Sequence, residues 1–273
     1  MPQNIERKIA EGMRMEFEID NFADGFKNTI GWILKDSHGH EIKKFLRTLK
    51  DDKDRLEKEP DSIKALILLT RLIKTGGFRL REPKDFGNKL ESFRERHGEN
   101  FRTSSAKSEL IQLVGPNTKK TAMMEQFLTK YPTLKIFTED LHSLANQGKT
   151  NVLGAKGRDN YLRDLGYWDR IPIDRHQLRF IVRTGIYHVF GSSESCDHLN
   201  YNHLHCALTK FCNKCLKNYV VEDIDLGNAP GVVDAFIWTF SAENQHNICG
   251  ARPRCNKCPL NDACLYSILQ PKK

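Results

Sequence analysis

Apolar residues recur at three- and four-residue spacing along most of the chain, while alternating apolar and polar runs are few. The pattern therefore predicts helices rather than strands. Pro60-Asp61-Ser62 opens one such helix, Ile63, Leu66, Ile67, Leu69 and Ile73 form its apolar face, and Gly76-Gly77 stops it. The highly charged residues 1–60 contain EIKKFLRTLKDDKDRLEKEPDS, which predicts a helix followed by a linker. Further helices are expected at about Lys84–Arg96, Ser104–Val114, Thr121–Lys130 and Thr138–Asn146. Gly115-Pro116-Asn117 and Tyr131-Pro132 break the pattern between them.

The segment 148–185 reads GKTNVLGAKGRDNYLRDLGYWDRIPIDRHQLRFIVRTG and predicts two helices joined by a short link. The first runs over Lys156–Leu165 and stops at Gly166. The second starts at Asp174, a candidate N-cap, with Gln177 three residues on as in a capping box. Leu178, Ile181 and Val182 form its apolar stripe, and Gly185 ends it. NHLHCALTKFCNKCLKN reads as one helix and Val232–Glu243 as another, with Val233, Phe236, Ile237 and Phe240 facing inward. No internal repeat of useful period is present. The expected architecture is all-α.

Charge narrows the partners. Lys and Arg number 43 against 35 Asp and Glu, a formal net charge of +8. Such an excess favours polyanions, either nucleic acid or an anionic membrane surface, and its plainer role is solubility. No apolar run approaches the roughly 18 residues that a membrane span needs, and the N-terminus MPQNIERKIAEGMRMEFEID has no apolar core of a secretory signal. The expectation is an intracellular protein of the cytoplasm or nucleoid with no membrane partner. Thiols stay reduced there, so the 8 cysteines predict metal ligands or core residues rather than disulfides.

CGARPRCNKCPLNDAC, residues 249–264, carries four of them as C-x5-C-x2-C-x5-C. Two thiolates at C-x2-C spacing bind one centre from a tight turn, and Cys249 and Cys264 can close the cage around Cys255 and Cys258. Four Cys without His suit zinc or an iron–sulfur cluster. The alternative, four core thiols, sits poorly with the Gly, Pro, Asn and Lys between them. Arg252, Arg254 and Lys257 in the same loop are candidate contacts to a phosphate backbone, or simply a solvated face. Cys206, Cys212 and Cys215 read as buried core thiols, while His203 and His205 keep a second metal site open.

At this point the chain resembles a family. The cysteine loop, together with a Gly-containing turn followed by Asp174-Arg175-His176, resembles the helix-hairpin-helix DNA glycosylases of the endonuclease III superfamily. In that family a hairpin of the kind L-P-G-V-G-x-K leads to a catalytic lysine, with a catalytic aspartate about eighteen residues later in a V-D-x-H stretch. Val152-Leu153-Gly154-Ala155-Lys156 is similar to the hairpin's end, and Ile173-Asp174-Arg175-His176 to the aspartate stretch. The run NYLRDLGYWDRIPIDRHQLRF looks like archaeal-type 8-oxoguanine glycosylases, the cysteine loop more like endonuclease III. The chain departs in three places: five residues in the first cysteine gap where six are usual, Val152 in place of a hairpin glycine, and residues 1–60 beyond the family's usual start.

The resemblance implies a base-excision-repair DNA glycosylase with abasic-site lyase activity, acting as a monomer on damaged double-stranded DNA and holding a [4Fe-4S] cluster. It implies a six-helix barrel domain over 62–168 that carries the hairpin. A second helical domain, 1–61 with 169–273, would hold the cluster, and the active site would lie in a cleft between the two. Lys156 would be the nucleophile and Asp174 the carboxylate at C1′. Asn151, Gly154, Gly157, Arg252, Arg254 and Lys257 would contact DNA, and Cys249, Cys255, Cys258 and Cys264 would ligate the cluster. The roles make chemical sense. Breaking an N-glycosidic bond builds positive charge on the sugar, which a nearby carboxylate stabilises. A lysine attacks C1′ only as the neutral amine, which burial or neighbouring positive charge favours.

Plainer roles stand beside these: an N-cap for Asp174, a solvent-exposed cation for Lys156, with Lys149 or Arg158 as substitutes. Trp168, Tyr167 and Phe78 read as core residues before base-pocket residues. Two alternatives follow: a monofunctional glycosylase for uracil or mismatched thymine, and a non-enzymatic DNA-binding protein stapled by zinc.

Overall fold

The computed structural model describes residues 18–58, 66–70, 73, 84–98, 100, 103–115, 118–147, 153–191 and 200–270. The fold is mostly helical. The chain divides into two compact units, one built from Met1–Thr48 with Trp168–Lys273 and the other from Leu49–Tyr167. The helices are α1 (Ile19–Ile33), α2 (Gly39–Lys58), α3 (Lys84–His97), α4 (Ser104–Val114), α5 (Thr118–Lys130), α6 (Leu134–Asn146) and α7 (Gly154–Asp164). They continue as α8 (Arg175–Arg183), α9 (Ile186–Phe190), α10 (Tyr201–Cys215), α11 (Pro230–Ser241) and α12 (Leu265–Ile268). Among the described residues, no helix is long and apolar enough to cross a membrane.

The Leu49–Tyr167 unit encloses an aliphatic and aromatic core. Leu66, Leu69 and Ile73 belong to it, with Phe93, Leu110, Phe127, Phe137, Leu141 and Tyr161. Phe137 meets Phe127 at 5.0 Å and Tyr131 at 4.8 Å, both edge to face, the arrangement that ring quadrupoles favour. Helix α6 begins at Leu134, ahead of the expected Thr138, because Thr133 caps it: its hydroxyl accepts from Ile136 N–H at 3.2 Å. Gly76, Gly77 and Phe78 lie outside the described residues.

The other unit is organised around phenylalanines. Helix α1 buries Phe22, Phe26, Ile30 and Ile33 on one face. Phe26 lies 5.3 Å from Phe180 of α8 and 6.0 Å from Phe211 of α10, and Phe180 meets Phe240 of α11 edge to face at 6.2 Å. The charged average of residues 1–60 hides this stripe, which turns α1 into a core element. Helix α11 starts at Pro230 rather than Val232, with Pro in the first turn where its missing N–H costs nothing. Gly231 is required there by close approach: its N–H donates to Trp168 O at 2.7 Å, and a Cβ would fall 2.2 Å from Arg170 O.

A two-stranded hairpin, which the hydropathy pattern did not announce, pairs Val220 with Asp225 and Val221 with Ile224. Its two-residue loop, Glu222 and Asp223, has positive φ at both positions, as a tight hairpin turn demands. Three burial expectations are corrected. Cys206 is exposed while Cys212 and Cys215 are buried, because position 206 falls on the outer side of α10. Tyr167 is exposed and Trp168 half-buried, since both follow the last turn of α7. Leu178 is half-buried; the buried face of α8 is His176, Gln177, Phe180, Ile181, Val182 and Arg183.

Candidate functional site

Lys156 sits in the first turn of α7 and is half-buried. The turn has no side-chain cap; Gly154, at φ +69°, makes the entry, a left-handed conformation that costs a residue with a Cβ. Gly157 lies one turn on, where a Cβ would meet Leu153 Cβ at 3.3 Å. Asn151, Val152 and Lys149 lie outside the described residues. The rest of α7 is unusual for its charge: Arg158, Asp159, Asn160 and Arg163 are all buried. Arg158 grips Asp159 with two hydrogen bonds, Nε to Oδ1 at 2.6 Å and Nη2 to Oδ2 at 3.0 Å, and Arg163 donates to Asn160 and Asp164. Arg158 is thus held in a buried ion pair, and a guanidinium is no substitute nucleophile for Lys156.

Asp174 opens α8 in extended backbone conformation. Its Oδ1 accepts from His176 N–H at 2.7 Å and Gln177 N–H at 3.4 Å, and Gln177 Oε1 accepts from Asp174 N–H at 3.2 Å. The capping box expected from Asp174 and Gln177 is present. Gln177 Nε2 also donates to the Asp234 carboxylate on α11, so the cap is tied to a second helix. His176 is buried with no hydrogen-bond partner at Nδ1 among the described residues, and burial pulls its pKa below the ordinary imidazole value against the pull of Asp174.

The far end of α8 reaches the cysteine loop. Arg183 is buried and donates to the carbonyls of Gly250 at 2.6 Å, Cys249 at 3.4 Å and Ala251 at 3.4 Å, with Cys249 Sγ at 4.0 Å. Cys264 Sγ donates to Arg183 O at 3.4 Å, and the guanidinium lies over the Tyr266 ring at 5.4 Å. Arg183 gave no motif signal. Its one clue is a long cation placed in register with the apolar face of a short helix.

Cys249 and Cys264 are buried, Cys255 and Cys258 half-buried. Burial pushes the Cys258 and Cys264 thiols up to about 12, and raises Cys255 as well. The sulfurs also act on each other: Cys249 and Cys255 raise Cys258, while Cys249 and Cys258 raise Cys264. All four are therefore electrostatic neighbours. Among the described residues, no three His, Cys, Asp or Glu side chains converge as ligands of a metal ion. Arg252, Arg254 and Lys257 are exposed on the same loop, with Cys255–Lys257 forming a single 3₁₀ turn. Cys212 and Cys215 are buried on α10, where burial raises both thiols, and Cys196 lies outside the described residues.

Compared with models of protein families, with curated proteins and with solved structures, the chain matches none.

Proposed function

We propose that the protein is a base-excision DNA glycosylase with abasic-site lyase activity, built on the helix-hairpin-helix plan. The observation that carries the reading is the placement of Lys156 and Asp174 at the starts of two helices, each half-buried, eighteen positions apart. A helix start presents backbone N–H groups that hold a carboxylate in one orientation, and Asp174 is so held. In the proposed reaction the Lys156 amine attacks C1′ of the damaged nucleotide. The N-glycosidic bond breaks and its electron pair leaves with the base. Asp174 stabilises the positive charge that develops on the sugar and takes the proton that the amine sheds. Transfer of a proton to O4′ opens the C1′–O4′ bond as C1′=N forms, and the Schiff base this leaves on Lys156 allows β-elimination of the 3′ phosphate. An oxidised base is the favoured substrate, and such an enzyme swings it out of the stack to reach it.

Cys249, Cys255, Cys258 and Cys264 would hold a [4Fe-4S] cluster. What supports a metal group here is the C-x5-C-x2-C-x5-C spacing and the mutual electrostatic influence of the sulfurs, a donor set that suits a cluster or a single zinc ion. Bound there, the group would tie the four cysteines of the loop to one another, beside the carbonyls of Cys249, Gly250 and Ala251 that Arg183 holds. Arg252, Arg254 and Lys257 would then face the phosphate backbone from a stiffened loop.

Borohydride trapping on duplexes that each carry one damaged base tests the chemistry. The wild type forms a covalent adduct, Lys156→Ala forms none, and Asp174→Asn binds DNA but excises no base. An adduct that survives Lys156→Ala overturns the nucleophile, and a colourless protein with one zinc per chain overturns the cluster. A monofunctional enzyme would excise the base without any adduct.

A further inference from the structure

Helix α6 and the residue after Gly166 line an open surface groove of about 370 Å³ formed by Glu139, His142, Ser143, Asn146, Gln147 and Tyr167. Glu139, His142, Ser143 and Asn146 fall three and four apart on one face of α6, and Gln147 is its C-cap. None of the six is aliphatic and none is a lysine or arginine. A lining without aliphatic groups does not suit a protein's apolar side chains, and one without cations does not suit a phosphate. What it offers is two rings and a row of neutral and acidic hydrogen-bonding groups. Tyr167, 37% exposed, stands with its ring centroid 5.0 Å from that of His142. Bonds within the helix orient the amides: Asn146 Nδ2 lies 3.4 Å from His142 Nδ1, and Gln147 Nε2 donates to Ser143 Oγ at 3.1 Å.

The geometry points to a site for an unpaired nucleobase that carries an exocyclic amino group. A ring platform takes a base of any sequence by stacking. The Glu139 carboxylate accepts from an exocyclic amine, and side-chain amides read the edges of unpaired bases. Gln147 is followed directly by the segment 148–157 in which the hairpin is expected. On the glycosylase reading, a DNA strand held by that hairpin is the source of the base. The inference rests on the glycosylase reading only for that source; the chemistry of the groove is independent of it.

The test is equilibrium binding of the full chain to fluorescein-labelled single strands of about eight nucleotides: oligo-dA, oligo-dC, oligo-dT and the same backbone with abasic linkers. The wild type should bind oligo-dA and oligo-dC about tenfold more tightly than the abasic strand, and Tyr167→Leu should remove most of that gain. Glu139→Ala should abolish the preference for dA and dC over dT. Both side chains are exposed, and unchanged thermal melts show that the variants fold. Equal binding of abasic and base-bearing strands overturns the site, as does a gain that Tyr167→Leu leaves intact. A preference that survives Glu139→Ala overturns the amino-group assignment. If no duplex is excised yet base preference tracks Tyr167, the glycosylase reading falls and the nucleobase site stands.

Discussion

Helices α7 and α8 begin in opposite ways. Helix α8 starts with reciprocal hydrogen bonds between two side chains and two backbone groups, all within four residues. Helix α7 starts with no side-chain cap, turns in on a left-handed glycine and then buries an Arg–Asp pair. The first start is local and stabilises itself. The second depends on what the rest of the chain packs over it, because a guanidinium and its carboxylate are buried only where other elements exclude water from them.

That contrast can be broken most severely at Asp159. Asp159→Ala removes the carboxylate that takes two hydrogen bonds from the buried Arg158 and should destabilise the protein by about 3–5 kcal/mol in urea unfolding. A loss under 1 kcal/mol would place Arg158 in water rather than in the interior. Gly154→Ala comes next. Its Cβ meets nothing within 4 Å, so only the conformation at φ +69° resists, and a loss of about 1–2 kcal/mol is expected in the same measurement.

The start of α8 should also respond to acid. The folded pKa of His176 lies below its unfolded value, so the unfolded chain binds more protons below about pH 6.5. Stability is full above that pH and declines as pH falls, by at most about 1.4 kcal/mol per pH unit for each such histidine. His246 moves in the same direction, mainly by burial and further by His38, against Asp36 at 2.6 Å. His176→Gln should therefore flatten the acid slope of stability without removing it.

The smallest effects belong to the cap. Asp174→Ala should cost about 1 kcal/mol, while Asp174→Asn, which still caps, should change stability by only a few tenths. If Asp174→Asn leaves both stability and base excision intact, Asp174 is a cap and nothing more.

The α8 start was legible because a capping box is written in consecutive residues; so was α4, whose observed bounds, Ser104–Val114, match the expected ones. The cysteine spacing was equally legible. The role of α1 was not, because Phe22 and Phe26 acquire meaning only against Phe180 and Phe211, more than 150 residues away. Arg183 was hidden for the same reason, its partners being carbonyls of the loop that begins at Cys249. The groove beside α6 went unread because Tyr167 was expected in the core.

By itself, the order of residues determined where helices start and stop and which thiols sit within reach of one another, since caps, glycine stops and short ligand spacings act over a few residues. Only the tertiary structure decided which charges are buried and paired, which aromatic rings join into a core and which helix face lines a groove. Burial belongs to no single residue: it is set by what the rest of the chain places around it, and that information is spread over contacts that local pattern does not contain.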